Sequence, residues 1–310
     1  MGSTRIGLVG CGAWGKYILK DLVGLGCEVH VVARSQQGWG NALKGQADSI
    51  VSEIAQLPIN LDGYVVAVTT LNHFEVVQQL IPLGKPIFVE KPLCPSLSQA
   101  QALQAYESQL FVMHKWRYHG GVTKLAELAA ENALGNVRSI RCQRGEWGVA
   151  HTDVDATWIL LPHDLSIAAH VLGALPEPRF ASGLKREEPD LAGEDYFYEL
   201  RGALGETSPE VYFEVSFRDP RCTRCITVLF DEGAAYLEHP MADHLAIRRV
   251  PKLGQKGGQV EKMAIDTEMP LLKELKAFVR YLEGGDPPLS SFAFELELVK
   301  AINALRAMAT

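Results

Sequence analysis

Three glycines spaced Gly10-x-Gly12-x-x-Gly15 follow directly on the apolar run Arg5–Val9 and open a stretch with helical periodicity, Lys16–Leu25. That order of strand, glycine turn and helix suits the pyrophosphate of a dinucleotide. Gly10 permits the tight turn, Gly12 lets the main chain approach the phosphates, and Gly15 lets helix and strand pack closely, with Ala13 and Trp14 in the same loop at the positive end of the helix. The next apolar run, Glu28–Ala33, ends in Ala33-Arg34-Ser35. An enzyme that prefers NAD would place a carboxylate there for the ribose 2′-hydroxyl. Ala33 offers none, and the guanidinium of Arg34 suits a 2′-phosphate, so the expected cofactor is NADP(H), with NAD(H) possible. Stacking of Arg34 on the adenine, or its exposure to solvent, is the alternative.

Further along, His114-Lys-Trp-Arg117-Tyr118-His119 gathers hydrogen-bond donors and aromatic faces that suit a sugar and its phosphates. Arg117, Tyr118 and His119 are therefore candidate substrate ligands, although the aromatic rings could equally serve packing. No set of His, Asp or Glu has trustworthy metal spacing, and no metal is expected. Cys222 and Cys225 form one C-x-x-C pair with no second pair to complete a zinc site, and six scattered cysteines point to reduced thiols. Thirty Lys and Arg against thirty-seven Asp and Glu give a net charge of -7 with no basic run, which argues against nucleic acid. The first apolar stretch is cut by glycines, so neither a leader nor a membrane span is expected, and the protein is placed in the cytoplasm.

These residues need elements to hold them. Short apolar runs at Arg5–Val9, Glu28–Ala33, Gly63–Val68, Pro86–Glu90 and Gln109–Met113 alternate with helix-like stretches at Lys16–Leu25, Phe74–Leu83 and Ser98–Glu107. Such alternation predicts a parallel, doubly wound sheet, an N-terminal Rossmann domain over 1–118. Beyond it, Val122–Asn132 and Asp164–Leu172 read as helices. Val137–Glu146, Glu194–Leu200, Val211–Phe217, Cys225–Phe230 and Ala234–Glu238 read as strands with one buried face, the last four of them antiparallel. Helices over Leu271–Glu283 and Phe294–Ala307 close the chain. Residues 119–310 are thus expected to form an α+β domain on a largely antiparallel open sheet.

At Phe88-Val-Glu90-Lys91-Pro92 the sequence comes to resemble the Gfo/Idh/MocA oxidoreductases, the relatives of glucose–fructose oxidoreductase and inositol dehydrogenase. The resemblance covers nearly the whole chain: the glycine loop, the turn Thr70-Leu-Asn72-His73, the run Met113–His119, Trp158-Ile-Leu-Leu-Pro162-His163-Asp164, and Pro270-Leu-Leu-Lys-Glu-Leu. Its wording is most similar to the branch acting on sugars carried on nucleotides. The resemblance implies hydride transfer between the cofactor and a carbinol or ketone carbon of a sugar, sugar nucleotide or polyol. It implies that Thr70, Asn72, His73 and Glu90 line the cofactor, that Lys91 holds the reacting oxygen, and that His163 moves the proton. It also implies self-association as a homodimer or homotetramer.

One departure stands out: many members carry Asp four residues before this histidine, where the present chain has Ile159. Asp164 then either supports His163 or complements the helix start, and Asp155 is the other acid close by. Reduction of an imine or conjugated bond, and a non-catalytic ligand sensor of the same fold, are the rival readings.

Overall fold

In a computed structural model the described residues are 3–148, 153–187, 195–207, 209–251 and 256–309. They form two compact units, one of residues 1–115 with 271–299 and one of residues 116–270 with 300–310.

The first unit is built on six parallel strands. They are β1 (Arg5–Val9), β2 (Glu28–Val32), β3 (Ser49–Val51), β4 (Gly63–Val66), β5 (Ile87–Glu90) and β6 (Leu110–Met113), in the order β3-β2-β1-β4-β5-β6. Helices α1 (Gly15–Gly24), α2 (Gln36–Lys44), α3 (His73–Leu80) and α4 (Leu97–Ala102) provide the crossovers that parallel neighbours require. The strand order reverses between β1 and β4, and in such a sheet ligands gather at the carboxyl ends beside that reversal. The core is the apolar middle of these strands, Ile6, Leu8, Val29, Val31, Val65 and Phe88, all fully buried. The near-continuous run of β-branched residues is what burial on both sheet faces demands.

Helix α8 (Pro270–Leu282) also belongs to this core, where Phe278 packs on Phe88 with ring centroids 4.8 Å apart. The sequence boundary at 118 leaves residues 271–299 with the second domain, whereas here they pack into the first unit. An amphipathic helix shows which face is apolar, not which core receives it.

The second unit holds α5 (Gly120–Ala130), β7 (Val137–Gly145), α6 (Ala156–Ile159) and α7 (Leu161–Leu172). Seven further strands follow: β8 (Pro178–Lys185), β9 (Phe197–Leu204), β10 (Glu210–Ser216), β11 (Arg224–Phe230), β12 (Gly233–Leu237), β13 (His244–Arg249) and β14 (Glu261–Ala264). Eight strands line up as β14-β13-β12-β11-β7-β10-β9-β8. All pairings are antiparallel except β7 with β10, which runs parallel, so the expectation for 211–217 is corrected at that one seam. The long excursion through α6, α7, β8 and β9 lets the chain return in the same direction. Ile140, Cys142 and Arg144 of β7 point to the buried side, while Arg141 and Gln143 are exposed. Helix α7 packs on β7 and β10, α6 on β9 and β10. Helix α9 (Phe292–Met308) ends the fold.

Candidate active site

Within the first unit, each glycine of the loop after β1 has its own reason. Gly10 has φ +98°, and a Cβ there would lie 2.6 Å from the Ala67 carbonyl oxygen. At Gly15 a Cβ would meet the Gly10 oxygen at 2.3 Å, so the helix could not close on the loop. Gly12 has nothing within 4 Å of that direction, leaving an open main-chain face. Helix α1 begins with no side-chain cap and no acidic residue in its first turn, which leaves its amides and dipole for an anion. These features fit a dinucleotide pyrophosphate. Asn41 of α2 steadies the loop by donating from Nδ2 to the carbonyls of Cys11 and Gly12 at 2.8 and 3.1 Å. Sequence reasoning missed Asn41, because nothing in a helix marks which distant carbonyl its amide will meet.

At the end of β2, Ala33 is buried and Arg34 is exposed. Ser35 caps α2, its Oγ accepting from the Gly38 N–H at 3.0 Å, so its first duty is to the helix. After β4, Thr70 is buried, and Asn72 donates from Nδ2 to Thr69 Oγ1 at 2.6 Å. His73, expected among cofactor ligands, is 1% exposed and spends its ring on the main chain. Its Nδ1 donates to the Pro92 carbonyl at 2.7 Å and its Nε2 lies 3.2 Å from the Val68 carbonyl.

Lys91 stands at the carboxyl end of β5, half-buried, in a turn whose Lys91–Pro92 peptide is cis. Glu90 accepts from the Lys91 N–H at 3.1 Å and from the indole N–H of Trp14. That second bond ties the Lys91 turn to the glycine loop. Lys115 places its ammonium 4.2 Å from the centre of the Trp14 ring. Beneath them Glu274 of α8 is buried, and burial, followed by the charge of Glu90, holds its carboxyl well above the usual range against the pull of Lys115 and the His114 main chain.

In the second unit, His163 lies half-buried in the first turn of α7. Asp164 beside it, buried to 1% exposure, accepts from both Nε and Nη2 of Arg144 at 2.8 Å. Burial raises its carboxyl above the ordinary aspartate value, and Arg144 pulls it back. The acid offered as support for His163 is therefore engaged with β7. Asp155 is also committed elsewhere: it caps α6 through the Thr157 N–H at 2.9 Å, accepts from the Phe197 N–H at 2.8 Å and pairs with Arg306 at 2.5 Å. Both acids are thus engaged in other bonds, and Ile159 itself is an apolar residue buried in α6.

Arg144 organises much of what the sequence singled out. Its guanidinium stacks 4.5 Å from the Trp116 ring, and Trp116 stacks on His119 at 4.9 Å. His119, expected to contact substrate, caps α5 by accepting from the Gly121 N–H at 3.0 Å and donates to the Pro240 carbonyl at 2.8 Å. Both ring nitrogens are thus in structural use. Tyr118 is buried, and burial lowers the Arg117 guanidinium below its ordinary value. The sequence did hold a signal for Arg144, since strand alternation puts it on the face of Ile140 and Cys142, where a charge requires a partner.

Burial, helped by the charge of Arg117, pushes His170 of α7 from 6.5 down to about 4. A base depressed in the folded state is protonated first in the unfolded chain, so stability should fall as pH drops from about 6.5 to about 4. One such proton contributes at most about 1.4 kcal/mol per pH unit. Urea midpoints of the protein and of His170→Gln, measured across that window, should converge toward acid, and parallel curves would exclude His170 as a contributor.

A parallel sheet ordered 3-2-1-4-5-6 with a glycine turn at its reversal defines a dinucleotide-binding Rossmann unit, and the second unit carries a mostly antiparallel eight-stranded sheet. Residues 4–114 match GFO_IDH_MocA, the oxidoreductase family with an NAD-binding Rossmann fold. The expected resemblance is thereby matched over the Rossmann unit, and the fold class is borne out. The oxidoreductase YdgJ of Escherichia coli K12 is 28% identical over 219 residues, 64% of this chain and 61% of that protein. Inositol 2-dehydrogenase 1 of Saccharopolyspora erythraea is 29% identical over 112 residues, 34% of this chain and 33% of the relative. The chain thus spans less than two thirds of the length of the curated relatives it matches. UDP-N-acetylglucosamine 3-dehydrogenase from Acidithiobacillus ferrooxidans superposes with a TM-score of 0.83 at 17% identity, covering 100% of this chain and 98% of that one. Levoglucosan dehydrogenase in complex with NADH and levoglucosan gives 0.83 at 15% identity, covering 99% and 97%. At those identities the likeness is one of fold. No helix among the described residues is long and apolar enough to cross a membrane.

Proposed function

We propose that the protein is an NADP(H)-dependent oxidoreductase that interconverts a carbinol and a ketone on a sugar, sugar nucleotide or polyol. The observation that carries this reading is Lys91 at the carboxyl end of β5, one strand from the sheet's reversal and tied to the glycine loop through Glu90 and Trp14. An open α/β sheet presents its ligand-facing groups there. Gly10, Gly12 and Gly15 with the start of α1 would hold the pyrophosphate, and Arg34 the 2′-phosphate. Thr70, Asn72 and Glu90 border the same strand ends. When bound, the nicotinamide supplies the hydride acceptor or donor. The ammonium of Lys91 holds the substrate oxygen and favours negative charge on it, while the imidazole of His163 takes the hydroxyl proton in oxidation and returns it in reduction. Arg117 and Tyr118 would contribute to sugar binding, and the sheet of the second unit to specificity and self-association as a dimer or tetramer. Similar proteins named for inositol, levoglucosan and a UDP-sugar support the substrate class. Six free thiols, four of them buried, suit a reducing cytoplasm.

A nicotinamide absorbance assay with both cofactors, run against a panel of polyols, sugars and nucleotide sugars, tests the reading. Turnover of at least one carbinol is expected, and turnover confined to imines or conjugated bonds would replace it. The cofactor choice has its own test. Calorimetry should show NADPH binding about 10- to 100-fold tighter than NADH, the value of one charge-assisted phosphate contact. In Arg34→Ala most of that difference should disappear. Equal affinities in the unmodified protein would remove Arg34 from the role.

A further inference from the structure

The turn that carries Lys91 is held at main-chain atoms by three side chains of the first unit, one adjacent and two distant in sequence. The Lys91 N–H goes to Glu90, and the Pro92 carbonyl accepts from His73. The third tie comes from the far end of the chain: Leu93 donates its N–H to Glu295 Oε1 at 2.8 Å, across 202 residues. The second oxygen of Glu295 accepts from His114 Nε2 at 2.7 Å, and both side chains are 0% exposed. His114 Nδ1 has no partner among the described residues, so the ring proton belongs on Nε2, where the carboxylate receives it. The ring is fixed edge-on against Phe294 at 5.2 Å.

A buried carboxylate is costly unless donors satisfy it, and well-packed apolar residues commonly serve stability as well or better. A leucine at 295 could fill the space but could not bind the Leu93 amide. Glu295 also sits in the first turn of α9, where the helix dipole favours an anion. Leu93 and Cys94 are themselves 0% exposed, so the turn has no water to replace a lost acceptor. We infer that Glu295, oriented by His114, is the positioning residue of the Lys91 turn, fixing the height and direction from which the Lys91 side chain leaves β5. The inference rests on the catalytic reading of Lys91 for its meaning, while the tie itself can be tested without it.

Hydrogen–deuterium exchange of the intact protein reads the tie with no substrate. In the unmodified protein the Leu93 amide should exchange at least about tenfold slower than an unbonded turn amide, and unprotected exchange there overturns the proposal. This measurement needs no variant, so it decides even where a substitution prevents folding. In Glu295→Met exchange across residues 90–96 should rise about tenfold or more while residues 5–9 of β1 stay unchanged, and Glu295→Gln, which keeps an acceptor, should remain near the unmodified protein. With a carbinol found in the panel, Glu295→Met should lower kcat about tenfold through misplacement of the lysine, with the Kd for NADPH unchanged. In a Lys91→Ala background the same replacement should add no further loss. Unchanged exchange in Glu295→Met, or a loss that multiplies in full on top of Lys91→Ala, overturns the positioning role. Absence of turnover with every panel member overturns the functional reading instead, and exchange still decides the tie.

Discussion

Lys91→Ala should lower kcat by about 10²- to 10⁴-fold, the range of a lost general acid–base or oxygen-holding group, and leave the affinity for NADPH essentially unchanged. The reason lies in what surrounds the lysine. Its turn is tied to the glycine loop through the Trp14 and Glu90 side chains, and removing the Lys91 side chain breaks neither that link nor the main-chain bond to Glu90. Cofactor binding is expected to survive because the glycine loop, the start of α1 and Arg34 are untouched. His163→Ala should show the same separation between turnover and cofactor affinity. Lys91→Arg keeps the charge but replaces a compact ammonium with a planar fork, so it should not restore turnover. Steady-state kinetics on a carbinol from the panel, with cofactor titration alongside, checks all three. Wild-type kcat in Lys91→Ala would withdraw the lysine from the reaction.

The second large effect is on stability. Arg144→Ala should cost about 3–5 kcal/mol, the range for removing one partner of a buried ion pair. Asp164 is 1% exposed and accepts from two guanidinium nitrogens, so without Arg144 it must stay buried as a lone charge or take up a proton. Its carboxyl is already raised by burial, and Arg144 supplies the opposing pull. A carboxyl raised in the folded state holds its proton more tightly there than when unfolded, so its contribution to stability declines as pH rises from the unfolded value of about 3.9 toward the folded one. Removing Arg144 widens that window, and the loss in Arg144→Ala should therefore be small near pH 4 and grow toward neutrality. The double variant Arg144→Met with Asp164→Leu should recover most of the stability, because an apolar pair of similar volume carries no desolvation cost. Urea midpoints at several pH values test both statements. A constant loss across pH would show that Asp164 stays charged without its partner, and no loss would show that the pair does little for the fold.

Much of this molecule was legible where a periodic pattern met a strong local constraint. The run Arg5–Val9 is β1 to the residue, and Val211–Phe217 and Cys225–Phe230 fall within one residue of β10 and β11, because alternation on a half-buried sheet leaves few choices. Strand β8 escaped notice because it is largely exposed, with only Ala181 buried, and so shows no alternation. Helix α2 was hidden by Gly38 and Gly40 and a weak apolar face, and its cap, Ser35, was read instead as a cofactor ligand. The site divides in the same way. The glycine loop and Lys91 announce themselves by spacing, but Asn41, Arg144 and Glu295 matter through partners 20 to 202 residues away. Polar residues such as His73 and His119 looked like ligands because a sequence does not show whether an imidazole faces a crevice or a main-chain carbonyl.

The return of residues 271–299 to the first unit bears on how the chain is made. Phe278 packs on Phe88, and a Cβ at Gly63 would meet the Leu282 side chain at 2.8 Å, so the parallel sheet is covered on one face by a helix translated after the whole antiparallel sheet. While the ribosome is still delivering the antiparallel sheet, the nascent Rossmann strands present that face uncovered, and contacts spanning some two hundred residues make its completion slow. A fragment ending at residue 118 would be left in this half-sealed condition permanently. Expressed alone, residues 1–118 are therefore expected to be poorly soluble, which a soluble-fraction measurement checks.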